Sequence, residues 1–250
     1  MPEKKPFIIG ISGKGGVGKT TIASLMVRCL IRQGIRPVLA VDADPNANLH
    51  EALGIEVTGT LGSMREEAFT KAIPPGMSRT EYIHYRFRQV LVESEGFDLI
   101  AMGRPEGQGC YCFANDLLTQ AMQSLQREYP VIIIDNEAGM EHLARGTIGL
   151  PDILVIVTDP GARGMRTADR IMQIGREIGM SEERMLRIVN RAPENYAVPD
   201  WVYATIPLDP LVEEAEMKGD PVSLVPRESL AAVSACTIIR DVFHENQEQA

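Results

Sequence analysis

The chain has 250 residues, a formal net charge of −9 (25 Lys+Arg against 34 Asp+Glu) and 4 cysteines. Its 44% hydrophobic and 24% charged content is that of a globular protein large enough to build a core without disulfides. The acidic balance argues against broad binding to nucleic acid or anionic membranes, and no apolar run approaches the ~20 residues of a membrane span. With no targeting segment in the charged start Met1–Lys5, the expected compartment is the cytoplasm, where thiols stay reduced.

Along the chain, short apolar runs alternate with segments of helical period. The predicted strands are Phe7–Ser12, Pro37–Asp42, Phe97–Met102, Val131–Asp135, Ile153–Thr158, Leu186–Asn190 and Val202–Ile206. Val131-Ile132-Ile133-Ile134 and Ile153-Leu154-Val155-Ile156-Val157 are apolar without interruption, as in strands covered on both faces. Helices are expected over Thr20–Gln33 and Arg163–Ile178, each followed by a glycine (Gly34, Gly179), and over Glu228–Phe243 before a frayed tail. Residues Glu56–Glu95, broken at Pro74-Pro75-Gly76, read as a helical excursion. The pattern implies a single α/β domain over residues 1–250, a doubly wound, mostly parallel sheet flanked by helices.

Gly13-Lys14-Gly15-Gly16-Val17-Gly18-Lys19-Thr20 fits the phosphate-loop pattern G-x-x-x-x-G-K-[ST] between a strand and a helix. Glycines let backbone N–H groups curl around phosphate oxygens, and the helix N-terminus adds positive potential. Lys19 is expected on the β/γ-phosphates and the Thr20 hydroxyl on Mg²⁺. Asp42-Ala43-Asp44-Pro45 ends the second strand, where carboxylates face the ligand crevice of an open α/β sheet. Val131–Asp135 has Walker B form, with Asp135 placed to hold Mg²⁺ through water.

Lys14 is not required by the phosphate site. Lys14-Gly15-Gly16-Val17-Gly18-Lys19-Thr20-Thr21 resembles the deviant Walker A of the MinD/ParA/NifH group of dimeric ATPases. The resemblance implies that Lys14 reaches across a nucleotide sandwich dimer, acting like an arginine finger on transition-state charge. It also implies that Asp44 orients the attacking water and that Asp42 lies nearer the Mg²⁺ shell. Asn136–His142 would then form switch II, Asn190-Arg191 the adenine contact, and Pro207-Leu208-Asp209-Pro210 the loop over the base. ATP and ADP are the implied nucleotides.

Cys29 and Cys236 lie in apolar helical segments and are expected as packing residues. Cys110 and Cys112 sit instead on the Gly/Pro-rich loop after the strand ending at Met102. Adjacent thiolates repel unless a metal neutralises them, and a soft-metal site commonly takes four ligands. Two thiolates per chain therefore predict a site shared across a two-fold dimer, for Zn²⁺, Ni²⁺ or an Fe–S cluster. Gly107–Cys112 together with Asn136–Thr147 resembles the CooC/AcsF-type maturation ATPases. That implies ATP-dependent insertion of Ni²⁺ into a client enzyme, carbon monoxide dehydrogenase or acetyl-CoA synthase, with Zn²⁺ a competitor in vitro. His142 reads better as a helix-face residue than as a ligand.

The nearest alternative is an iron–sulfur electron-transfer ATPase of the nitrogenase iron-protein type, but that type draws a cysteine from switch II and Asp135–His142 has none. Membrane- and DNA-positioning relatives would want basic surfaces. The C-terminal Asp241–Glu248 is acidic and polar.

Overall fold

The computed structural model describes residues 5–70, 73–103, 123, 125, 127–136 and 149–247. Cys110, Cys112, His142 and all of switch II after Asn136 lie outside the described residues. Eight strands form one sheet: β1 (Phe7–Gly13), β2 (Val38–Ala43), β3 (Val92–Ser94), β4 (Phe97–Ala101), β5 (Val131–Asn136), β6 (Ile153–Thr158), β7 (Met185–Ala192) and β8 (Ala204–Pro207). Their spatial order is β3-β4-β2-β5-β1-β6-β7-β8, parallel except for β3. The helices set out among the described residues are α1 (Lys19–Arg32), α2 (Leu49–Leu53), α3 (Leu61–Thr70), α4 (Arg79–Val90), α5 (Ala162–Glu177), α6 (Pro210–Lys218) and α7 (Leu230–Gln247). This is the doubly wound, mostly parallel architecture that the alternating pattern implies.

The unbroken apolar strands are explained by two-sided cover. Val131 and Ile133 face one core with α1 and α7, whereas Ile132 and Ile134 face a second core with α3 and α4. On β6, Ile153, Val155 and Val157 join the first core, while Leu154 and Ile156 pack on α5. Each residue of β5 and β6 thus has a buried face to fill, so no polar alternation survives in the sequence.

Local chemistry ends the helices as expected. Gly34 takes φ +80 after α1, and the Ile35 N–H reaches back to the Leu30 carbonyl, closing the last turn. α4 starts on a capping box: the Ser78 hydroxyl accepts from the Glu81 N–H, and the Glu81 carboxylate accepts from the Ser78 N–H.

Some boundaries differ from the sequence expectation. The Glu56–Glu95 segment is helical in α3 and α4, yet its end forms β3. This strand turns through Glu95-Gly96 and pairs antiparallel with β4, Ser94 opposite Phe97. β8 begins at Ala204 rather than Val202, and the last helix runs from Leu230 to Gln247.

The cysteine reading needs a larger correction. Cys29 on α1 and Cys236 on α7 do lie in apolar helices, but they are joined as a disulfide with Cα atoms 5.4 Å apart. The helices that cover one face of the sheet bring together two residues 207 apart in sequence.

Candidate nucleotide and metal-ion site

The parallel pairing fixes which strand ends meet. Asp42 is in register with Asp135, and Ile11 is too, so the C-terminal ends of β2, β5 and β1 converge where the chain leaves β1 for the phosphate loop. Gly13 sits against β6 so closely that a Cβ would lie 2.2 Å from the Val157 carbonyl oxygen, and no side chain fits there.

Thr20, in the first turn of α1, donates its hydroxyl to Asp135 Oδ2 at 2.6 Å. The other Asp135 oxygen, Oδ1, is buried and accepts no hydrogen bond from the described residues. Lys19 is buried, with Nζ 3.5 Å from the Lys14 carbonyl oxygen. Burial pushes the Asp135 carboxyl up to about 7; the Thr20 hydroxyl and Lys19 oppose the rise, and Asp42 adds to it. Burial likewise raises Asp42 to about 6, against the N–H groups of Leu49 and Asp44. A hydroxyl, a buried carboxylate with an unsatisfied oxygen and a second carboxylate nearby make a hard-oxygen donor set. That set suits Mg²⁺, which would offset the like-charge repulsion.

Asp42 also shapes the next loop. Its Oδ1 accepts from the Asp44 N–H at 3.1 Å and its Oδ2 from the Leu49 N–H at 2.8 Å. Asp44 is half-buried, with Oδ1 accepting from the Asn46 N–H at 2.8 Å. His50 Nδ1 lies 2.6 Å from the Ala47 carbonyl, so it carries the proton. The loop is therefore held by its own carboxylates before any ligand arrives.

A pocket opens beside the phosphate loop, lined by Thr21, Asn190, Arg191, Pro207, Asp209 and Glu216 among others. The sequence-predicted base contacts therefore do come together. Asn190 is buried and donates Nδ2 to the Val17 carbonyl at 2.8 Å. Asp209 caps α6 through the Leu211 N–H (2.9 Å) and holds the start of α7 through the Ser229 hydroxyl (2.5 Å) and the Ala231 N–H (2.9 Å). Burial works against the Asp209 carboxylate, but Ser229 and the N–H groups of Ala231, Leu211 and Val212 outweigh it and hold the carboxyl below its ordinary range.

Sequence reasoning missed Glu216 here and gave Asn136 only as the start of switch II. Glu216 accepts from the Thr21 hydroxyl at 2.7 Å and pairs with Arg191 at 3.2 Å. Its only sequence signal is its place four residues after Val212, on the pocket face of α6. Asn136 is buried and donates Nδ2 to the Ile11 carbonyl at 3.0 Å, tying β5 to β1, with Oδ1 lacking a partner among the described residues.

Residues 7–188 match a family described as an AAA domain. The chain is 37% identical over 233 residues to an uncharacterized ATP-binding protein of Methanocaldococcus jannaschii, covering 88% of this chain and 92% of that one. It is 32% identical over 239 residues to the carbon monoxide dehydrogenase accessory protein CooC of Rhodospirillum rubrum, covering 84% and 87%. Its fold superposes on the septum site-determining protein MinD of Pyrococcus horikoshii, solved with Mg-ADP, at a TM-score of 0.71 and 24% identity over 98% of this chain and 99% of that one.

Proposed function

Because the chain belongs to this AAA-domain family of P-loop ATPases, we propose that its ATP hydrolysis drives maturation of a nickel enzyme, carbon monoxide dehydrogenase or acetyl-CoA synthase. The observation that carries the reading is the Cys110-Tyr111-Cys112 pair in a chain 32% identical to a carbon monoxide dehydrogenase accessory protein. Ni²⁺ is the cargo, taken by two such pairs across a homodimer, with Zn²⁺ a competitor.

The nucleotide half rests on the site geometry. Thr20 and Asp135 would hold Mg²⁺, which when bound supplies neutralising charge to the β- and γ-phosphates. Gly13, Gly15, Gly16, Val17 and Gly18 present the loop backbone to the phosphates, and Lys19 leaves the Lys14 carbonyl to meet the anion. Thr21 lines the pocket and belongs to the nucleotide-binding set. Asp44 orients water, Lys14 serves the partner's nucleotide, and Asn190, Arg191, Pro207 and Asp209 form the base end. Coupling requires that Ni²⁺ affinity differ between nucleotide states. No helix among the described residues is long and apolar enough to cross a membrane. We place the protein in the cytoplasm, with neither nucleic acid nor membrane as partner.

The test is Ni²⁺ binding to the anaerobically isolated protein in nucleotide-free, ADP and non-hydrolysable ATP forms, with oligomeric state followed in parallel. One Ni²⁺ per dimer is expected, lost in C110A/C112A while ATP binding persists. Unchanged stoichiometry in that variant removes the site. Equal affinity in all nucleotide forms removes the coupling, and a reducible iron–sulfur chromophore makes the protein an electron-transfer ATPase instead.

A further inference from the structure

We infer that the end of β7 is a clasp that holds the empty phosphate loop in its anion-binding shape, with Asn190 and Arg191 as positioning residues. Two consecutive side chains there donate to two consecutive carbonyls of the loop: Asn190 Nδ2 to Val17 O at 2.8 Å, and Arg191 Nη1 to Gly16 O at 3.4 Å. A regular strand sends successive side chains to opposite faces. Here the register with β8 shifts between Asn190 and Ala192, and Arg191 takes φ +55, a left-handed conformation unusual for a residue with a side chain. The irregularity turns both donors to the same side. The amide orientation is fixed by chemistry, because only the NH₂ end can face a carbonyl oxygen.

The consequence follows from peptide geometry. In a planar trans peptide the C=O of one residue points opposite to the N–H of the next. Holding the Gly16 and Val17 carbonyls toward β7 aims the N–H groups of Val17 and Gly18 the other way, as a phosphate cradle requires. Gly18 admits the close approach: it takes φ +90, and a Cβ there would lie 2.4 Å from Asn190 Nδ2. Glu216 steadies the second donor through its 3.2 Å pair with Arg191. Without the clasp, neighbouring carbonyls in a glycine-rich loop are free to rotate inward and oppose the anion.

The inference rests on the nucleotide half of the proposed function and not on the nickel half. The test uses pyrophosphate with Mg²⁺, a ligand with no base, by calorimetry or by competition against ADP. Asn190→Ala is expected to weaken pyrophosphate about tenfold and to lower the ¹⁵N order parameters of the Val17 and Gly18 amides in the nucleotide-free protein. If Asn190 serves only the base, ADP weakens while pyrophosphate binding and loop order match the wild type; that result overturns the clasp. Should Asn190→Ala fail to fold, Arg191→Met, at a side chain that is 43% exposed, is expected to lower the order parameter of the Val17 amide. Unchanged order there overturns the inference. Wild-type protein that binds no ADP refutes the nucleotide site itself, a separate outcome.

Discussion

Asp135 is the residue on which stability and function pull apart. Its carboxylate is buried, accepts one hydrogen bond from Thr20 and leaves one oxygen unsatisfied. Its carboxyl is raised to about 7, mainly by burial, so the folded protein holds this proton more tightly than the unfolded chain does. The contribution to stability is full below the unfolded value near pH 4 and is lost as pH rises to and through about 7. Asn in its place can still accept from Thr20 and carries no charge. Metal-free, nucleotide-free Asp135→Asn is therefore expected to be more stable than wild type at pH 8, by on the order of 1–3 kcal/mol, and to match it near pH 4. Denaturant unfolding at the two pH values measures this, and equal midpoints at pH 8 would contradict it. The same variant should lose ATP hydrolysis, because it removes the anionic donor for Mg²⁺.

Among the elements, α1 and α6 supply most of the pocket's helical lining, and α7 braces the loop beside it. α1 starts at the phosphate loop, and α7 starts where Ser229 and Ala231 grip Asp209 of the base loop. The Cys29–Cys236 disulfide links the two helices further along. A crosslink spanning 207 residues restricts the unfolded chain strongly. Reduction, or Cys29→Ser, is expected to lower unfolding stability by about 2–5 kcal/mol. Alkylation of the unreduced, denatured protein should modify Cys110 and Cys112 only. Four alkylated cysteines without reductant, or no stability change on reduction, would show that the pair packs as thiols.

For the whole molecule, the central question is whether the active unit is two chains. Lys14 has its backbone carbonyl on Lys19, and its side chain makes no hydrogen bond or ion pair among the described residues. If Lys14 works across a dimer, Lys14→Ala should lower turnover at least about tenfold while ADP affinity changes less than about threefold. Wild-type specific activity should rise with protein concentration. Normal turnover in the variant would exclude the role in trans. The proposed Cys110/Cys112 metal site makes the same demand from a different direction, because two thiolates per chain complete a four-ligand site only when two chains meet.

The parts legible in the sequence are those whose chemistry is contiguous. The phosphate loop needs glycines, Lys19 and Thr20 within eight neighbouring positions, and a strand before it and a helix after it are written in the adjoining residues. β5 and β6 declare themselves as two-sided strands because Val131–Ile134 and Ile153–Val157 are apolar without a break. By contrast, β3 was hidden because three residues beside a helical stretch carry too short a pattern to outweigh it. The short strand exists because β4 offers it an edge.

What only the tertiary structure decided are relations between distant residues. Composition alone determined an acidic chain with enough apolar sequence for a core, and local motifs determined a parallel α/β nucleotide-binding fold. Neither could show that Cys29 meets Cys236, that Asn190 and Arg191 grip Val17 and Gly16, or that Glu216 bonds Thr21. Those pairings depend on the strand order β5-β1-β6-β7-β8 and on which helix covers which face. Periodicity records only that a face is buried, not what buries it.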